Sequence, residues 1–520
     1  MKKHGRFLFN AAYLAAVSIL MRCVAVSFNA YVSAKIGAES MGLFTLVMSV
    51  YGFAVTLATS GVNLASVRLT AESCARLQSG DASAHEYRRS ARKIMSRCAI
   101  YSLIFSLPTG SLLYLLSPAI GSRLLGDVRT VMSLKVLSLA LPAISLTSAL
   151  SGYFSGVRKV YKNALSAVTE QGMKIIFTST ALALSVPHLT DSVEYACLAV
   201  VGGSAVSEGL SLIISVIMYM FDNKRPQGTS PGRGGALTEH FTVRSIAVVS
   251  LPVALGAYAR QGLSSAEHLA IPWGMKKSGL GAAGALASYG VLHGMVFPLI
   301  LFPSAVLVSA AGLLVPELAE YKALSAEKKI KFTVSEVYSL SLLFSLGCAA
   351  VFFAFAPELG MSVYGSAEAG ERIMQCAPLI PVMYFDMAVD CMLKGLGEQV
   401  QSMRINIIDS ASSLLLVLIL VPIFGISGYI VSVYFCEILN CTLSLMRLKR
   451  VTGVFPNIRG TIIPSLFCAA VAVFFTSALP RICGRGIVCV PISIAMCAVI
   501  YLFLAVCFIP DAKKKLKFKV

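Results

Sequence analysis

Four residues set the chemistry open to this chain: Arg22 with Asn29, and Arg260 with Glu267. Each pair is seven residues apart, about two helical turns, so its two side chains stand on one helix face. Each pair is embedded in apolar sequence, "AAVSILMRCVAVSFNAYV" and "IAVVSLPVALGAYARQGLSSAEHLAI". A charge at the centre of a bilayer costs at least about 2.5–3.5 kcal/mol, so these arginines are expected to face a polar cleft rather than lipid. The guanidinium fork grips phosphate through two parallel hydrogen bonds. Two arginines in one water-filled cleft would therefore bind a phosphate-bearing anion inside the membrane. Glu267 would limit the net charge or offer a proton or cation site. The alternative is an Arg260–Glu267 ion pair that locks two helices together.

Further charges lie within apolar stretches. Glu170 and Lys174 are spaced as an i,i+4 helical pair, readable as a structural pair or as part of a cleft. Asp386, Asp390 and Lys394 form a stripe on one helix face, and Asp409 lies in the following segment. Lys394 is near enough to a helix end to snorkel. Arg68 is a candidate phosphate contact at the inner mouth, or snorkels in the same way. Glu208 and Glu437 are candidates for interhelical hydrogen bonds, and His268 for a polar wall. Together these give the candidate substrate contacts Arg22, Asn29, Arg68, Arg260 and Glu267. The candidate ion-coupling charges are Glu170, Lys174, Asp386, Asp390 and Asp409.

No metal or cofactor is expected. The fourteen cysteines lie mostly in apolar segments, without CxxC or zinc spacing, and read as small packing residues. "GLGAAG" (279–284) matches a dinucleotide pattern but follows no strand. No Walker A, HExxH or GxSxG motif occurs, so the chain reads as neither an enzyme nor an ATP-driven pump.

The elements that must carry these residues are membrane helices. Hydrophobic residues make up 57% of the 520-residue chain and charged residues only 13%, against about 25% in soluble proteins. The net charge of +19 would suggest nucleic acid for a soluble chain. Here it reflects basic loops on one side of a membrane. About fourteen apolar segments of spanning length run between residues 7 and 509. Thirty of the 44 basic residues fall in the termini and alternate connections, and eight in the opposite connections. Both termini are therefore expected in the cytoplasm, with the chain in the plasma membrane.

The basic Gly/Pro-rich stretch "NKRPQGTSPGRGG" (223–235) separates two halves with matching features. "SGVRKVYKNALSAVTE" follows the fourth segment and "KGLGEQVQSMRINIID" the tenth. Gly156 and Gly395 open these joints, and a carboxylate follows fourteen residues later, at Glu170 and Asp409. The second segment ends at Glu72 and the eighth at Glu320. Each match pairs segment n with n+6, which predicts parallel repeats about an axis normal to the membrane. The expected organisation is a six-helix bundle (1–221), a linker (222–243), a second bundle (244–446), and two extra helices with a basic tail (447–520).

Three stretches resemble the oligosaccharide flippases of the stage V sporulation protein B type. They are "FNAYVSAKIGAESMGLFTLVMSVYGFAVTLATSGVNLASVRLTAE" (28–72), "SYGVLHGMVFPLILFPSAVLVSAAGLLVPELAE" (288–320) and "LKGLGEQVQSMRINIIDS" (393–410). The resemblance implies an all-α polytopic fold in which two six-helix bundles form a V, plus two C-terminal helices, working by alternating access. It implies an undecaprenyl-type, pyrophosphate-linked saccharide as substrate, a precursor of cell wall, polysaccharide or spore cortex. Arg22 and Arg260 match arginine positions of flippase relatives. Asn29 stands where some relatives carry a second basic residue. Implied partners are membrane lipids and cell-wall synthesis proteins, with no nucleic acid. Two other functions fit the same scaffold: a cation-coupled multidrug exporter, which would favour acidic, aromatic-lined cavities, and a membrane scaffold for wall or spore assembly that transports nothing.

Overall fold

The computed structural model describes residues 2–78, 84–189, 193–222, 243–476 and 489–508. Among these the chain is helix and short joints, with no strand. An apolar chain in lipid must satisfy every backbone N–H and C=O within itself, and helices do so segment by segment. Among the described residues, ten helices or helical runs are long and apolar enough to cross a membrane.

Two of these runs each hold two of the expected spans. The first runs from Ile19 to Cys74, through α1 (Lys2–Thr59) and α2 (Val62–Gln78). The second is α15 (Gln399–Thr452). Each long helix contains one non-helical glycine, Gly37 at φ 78° and Gly425 at φ 59°. Positive φ is open to glycine at little steric cost, so the chain turns there without leaving helix on either side. Gly425 falls in the "FGISG" joint expected between spans eleven and twelve. The expected eighth span comes as two runs, Ala282–Leu301 and Ser304–Ala323. Proline at 303 can donate no helical hydrogen bond across that gap. α5 (Val160–Leu189), α7 (Val243–Lys277) and the shorter α16 (Ile458–Thr476) carry the remaining spans. Pro272 does not end α7, which continues to Lys277.

The chain divides into two compact units. One is Leu43–Leu269; the other joins Met1–Gly42 to Ala270–Val520. The units therefore exchange the first and seventh helices relative to the expected bundles 1–221 and 244–446. The linker residues 223–242 and the basic tail 509–520 lie outside the described residues.

In the unit Leu43–Leu269, α2, α3 (Ala84–Ala119) and α4 (Thr130–Gly156) share a core of Val62, Ile94, Tyr101, Leu150, Tyr153 and Phe154. α4 closes against α2 at Gly156. A Cβ there would lie 2.7 Å from Thr70 Cβ and 2.9 Å from the Val67 carbonyl oxygen. Beyond it, Lys159 and Lys162 bond Asp222 at 2.6 and 2.8 Å, at the end of α6 (Val193–Asp222).

The other unit repeats this construction in different residues. α10 (Ser304–Ala323), α11 (Glu327–Ala354) and α14 (Ile380–Gly395) enclose Leu318, Val334, Tyr338, Phe385 and Met392. Gly395 closes α14 against α10, where a Cβ would lie 3.1 Å from Val315 atoms and 3.3 Å from Leu318 Cβ. Aligning Glu72 with Glu320 also aligns Val67 with Val315 and Thr70 with Leu318. Three residues past Gly395, Glu398 takes Arg447 at 2.5 Å; three past Gly156 stands Lys159. The ion pair keeps its place, and its charges are exchanged. The last two described helices of this unit, α16 and α17 (Cys489–Phe508), pack on α11. There the Tyr501 ring lies over Gly347, and its hydroxyl donates to the Leu343 carbonyl at 2.6 Å.

Candidate functional site

Arg22 lies on the face of α1 that also carries Asn29, Val32, Ser33 and Ile36, a stripe at helical spacing. Val32, Ser33 and Ile36 are buried, whereas Arg22 is exposed. Its guanidinium acts electrostatically on Tyr384 of α14. Asn29 is committed to backbone: its Nδ2 donates to the Gly294 carbonyl at 2.6 Å. Gly294 lies in a π-helical stretch, Gly290–Val296, between α8 (Ala282–Tyr289) and α9 (Phe297–Leu301). A π-helical turn disrupts the regular i→i−4 ladder, and side chains of this unit answer neighbouring carbonyls. Tyr364 donates to Met295 at 2.8 Å and Tyr384 to Ile300. α1 approaches the same stretch at Gly42, where a Cβ would stand 2.0 Å from the Leu286 carbonyl oxygen. No side chain larger than hydrogen fits there.

Arg260 is placed differently. In its unit, α7 runs antiparallel to residues 49–59 of α1 and the turn that follows at Ser60. Ser265 Oγ donates to the Ser49 carbonyl at 2.8 Å, and Tyr258 donates to Ser60 Oγ at 2.6 Å. Between them Gly262 lies against the Phe53 ring. Arg260 and Glu267 both lie on the opposite side of α7, about 150° or more from this packed face at ~100° per residue. Arg260 is exposed and Glu267 half-buried. Neither Arg22 nor Arg260 forms an ion pair or a hydrogen bond among the described residues. The Arg260–Glu267 pair weighed from the sequence does not form as a direct contact with Arg260.

The two groups of acidic candidates each gather inside one unit. Glu170 accepts a hydrogen bond from Ser211 of α6 at 3.0 Å. Glu170 and Glu208 both act electrostatically on Lys174 and on Tyr51 of α1. In the other unit Asp390 accepts from Ser402 and binds Lys394 at 2.5 Å. Asp386 lies within electrostatic reach of Asp390, Asp409 and Lys394, and is hydrogen-bonded by Ser444. Arg68, the candidate at the inner end, pairs with Glu72 one turn on at 3.2 Å, with both side chains largely exposed. His268 is half-buried.

Sequence reasoning singled out Glu170 and Lys174 but gave Tyr51 no role and left Glu208 apart. Tyr51 comes from a helix more than a hundred residues earlier, and no local spacing points to it. The burial of four serines at i, i+3, i+7 and i+11 along α6 (204, 207, 211, 215) does have a signature in "GGSAVSEGLSLIISV", a small-residue stripe of the type that lets membrane helices approach closely.

Comparison with known proteins places this geometry in context. Residues 7–258 match the family model described as polysaccharide biosynthesis protein. The chain is similar to stage V sporulation protein B of Bacillus subtilis (strain 168), 25% identical over 428 residues, 81% of this chain and 79% of that protein. It is also similar to sporulation protein YkvU of the same organism, 21% identical over 76% of this chain and 83% of that one. These matches bear out the resemblance read from residues 28–72, 288–320 and 393–410. Among solved structures, the inward closed conformation of the lipid II flippase MurJ superposes with a TM-score of 0.71 at 13% identity, covering 96% of this chain and 99% of that one. An inward-facing multidrug resistance MATE family transporter gives 0.60 at 15% identity, over 85% and 99%. The chain is thus a multi-pass membrane protein with the MurJ/MATE fold.

Proposed function

We propose that this protein is a flippase that carries a polyprenyl-pyrophosphate-linked saccharide from the inner to the outer leaflet of the plasma membrane. What supports the reading is Arg22 in one unit and Arg260 in the other, each an exposed guanidinium without an ion pair or hydrogen bond among the described residues and each read from the sequence as lying at mid-span. Left in lipid, each would cost several kcal/mol. Offered to a pyrophosphate, they replace its lost hydration with charge-assisted hydrogen bonds. The matching construction around Gly156 and Gly395 supports reading residues 1–221 and 244–446 as parallel repeats, the arrangement on which alternating access depends. The lipid tail stays in the bilayer while the head group crosses. With both termini in the cytoplasm, an inside-negative potential favours outward movement of an anion by about 2.3 kcal/mol per charge per 100 mV. A drug exporter for cations would be opposed by these arginines.

Reconstitution into liposomes with fluorescent undecaprenyl-pyrophosphate-linked sugars tests the reading. Protein-dependent flipping that falls when the pyrophosphate is replaced by a neutral head group is the expected result. Equal handling of cationic dyes and indifference to the pyrophosphate would refute it.

A further inference from the structure

The joint between α4 and α5 carries positive charge beyond what holds it together. Its counterpart between α14 and α15 supplies the comparison. Matching Gly156 with Gly395 matches Arg158 with Gly397, Lys159 with Glu398 and Lys162 with Gln401. In the second joint the charges are placed one to one: Glu398 takes Arg447. The ammonium of Lys322, which lies beside Gly397, donates to the Leu396 carbonyl at 2.5 Å. In the first joint two lysines, Lys159 and Lys162, share the single carboxylate of Asp222, and the first turn of α5 holds no acid. That group keeps one positive charge in excess, and Arg158 adds another. Both joints belong to the same set of connections, so the sorting of basic residues by side acts on both alike and does not account for the difference.

Arg158 occupies a glycine's backbone place. It sits at φ 59°, and Gly397 at φ 73°, in a region that is open to glycine and costs a residue with a Cβ. The surrounding chain holds it there. The Arg158 N–H donates to the Ser155 carbonyl at 3.0 Å and the Lys159 N–H to the Phe154 carbonyl at 2.9 Å. Asn163 ties the start of α5 to the end of α4, donating to the Ser151 carbonyl at 3.0 Å and to Ser155 Oγ at 2.8 Å. The Arg158 side chain itself is exposed and forms no ion pair or hydrogen bond among the described residues. Next to it α5 offers apolar surface. Tyr161, Leu165 and Val168 stand at i, i+4 and i+7, on one helix face, and all three are exposed. A tyrosine at the end of a span suits the membrane–water interface, with its ring in the apolar layer and its hydroxyl in the wet one.

We infer that the joint between α4 and α5 is a binding site for an anionic phospholipid, with the lipid phosphate on Arg158 and an acyl chain along the face of α5 that carries Tyr161, Leu165 and Val168. The guanidinium fork suits a phosphate oxygen pair. Lys159 and Lys162 stay on Asp222 and supply the excess positive charge. A joint between two spans lies at the membrane surface, and the side read from the basic loops as cytoplasmic is the one whose leaflet holds anionic lipid. A phosphate carried in water would have no use for the apolar face. The site is distinct from the arginines assigned to the substrate, and it does not rest on the flippase reading.

The test is native mass spectrometry of the full-length protein, delipidated in detergent and titrated with phosphatidylglycerol or with phosphatidylcholine of the same acyl chains. Wild type should take up phosphatidylglycerol in preference. Arg158→Gly should weaken its affinity for the first phosphatidylglycerol by about fivefold, the worth of one basic residue at an anionic membrane surface, and leave phosphatidylcholine unchanged. Its unfolding midpoint without added lipid should hold or rise, because glycine adopts positive φ freely. If Arg158→Gly does not accumulate, Arg158→Asn also removes the charge, tolerates the left-handed backbone and should show the same loss. Equal binding of the two lipids by wild type overturns the inference. So does phosphatidylglycerol binding that is unchanged in Arg158→Gly, or in Arg158→Asn where that variant is needed. Displacement of phosphatidylglycerol by an equal concentration of inorganic pyrophosphate overturns the lipid assignment, since a phosphate free in water would then fill the site as well.

Discussion

The joint after α4 and the joint after α14 are built alike and charged oppositely. In each, a glycine closes one helix against another, at Val67 and Thr70 in the first and at Val315 and Leu318 in the second. Three residues on, a side chain reaches the end of a later helix: Lys159 to Asp222 in one case, Glu398 to Arg447 in the other. Close approach of the backbones is the shared feature, and the sign of the pair is free to exchange. The charge in these pairs is therefore structural. The mid-span arginines follow the opposite rule: Arg22 and Arg260 share their charge but not their surroundings. Arg22 extends a packed face beside Tyr384, whereas Arg260 points away from the face that holds its helix.

The comparison can be broken first at the glycines. Gly156→Leu and Gly395→Leu should each abolish accumulation of folded protein, because no leucine fits between helices in backbone contact. The smaller change sharpens the contrast. Gly156→Ala should cost about 1–3 kcal/mol, as overpacking does, and Gly395→Ala less, since its Cβ would meet contacts of 3.1–3.3 Å rather than 2.7–2.9 Å. Thermal unfolding in detergent orders the two, and an equal loss at both sites would show that the joints are less alike than their contacts suggest.

A smaller effect is expected from the ion pairs. Asp222→Ala and Glu398→Ala should each destabilise by about 1–2 kcal/mol, the range for hydrogen bonds to partly buried charged groups. Exchanging both partners, Glu398→Arg with Arg447→Glu, should recover most of that loss. The same exchange at Lys159 and Asp222 should not, because Lys162 also binds Asp222 and would face a cation. Full recovery at both places would mean that Lys162 contributes nothing. The smallest effect belongs to Arg68→Ala. Its exposed pair with Glu72 is worth only about 0.3–0.5 kcal/mol, so unfolding should barely move. A large fall in flipping with stability intact would make Arg68 a substrate contact.

Much of this architecture was legible in the sequence because hydropathy and charge act locally. Apolar length gave the spans, and the glycine-led joints gave the match between halves. The rest depended on contacts distant in sequence. The π-helical stretch at Gly290–Val296 has no pattern of its own; it is held by Asn29 and Tyr364, from either end of the chain's order. Asn29 read as a cleft residue because its spacing from Arg22 is helical, and spacing cannot say that a carbonyl waits opposite. The break at Phe302–Pro303 was signalled by proline, but it sits inside an apolar run that length alone reads as one span. Tyr51 and Glu208 could not be joined until α1 and α6 were brought together.

The central claim is that Arg22 and Arg260 serve a substrate rather than the fold. The direct measurement is the initial flipping rate of an undecaprenyl-pyrophosphate-linked sugar by wild type, Arg22→Ala, Arg260→Ala and the two Arg→Lys variants, each with its unfolding midpoint. Neither arginine has an ion-pair or hydrogen-bond partner among the described residues, so all five proteins should unfold alike. Flipping should be severely reduced in the alanine variants and partly retained with lysine, which keeps the charge without the planar fork. Wild-type flipping by Arg22→Ala and Arg260→Ala would contradict the account.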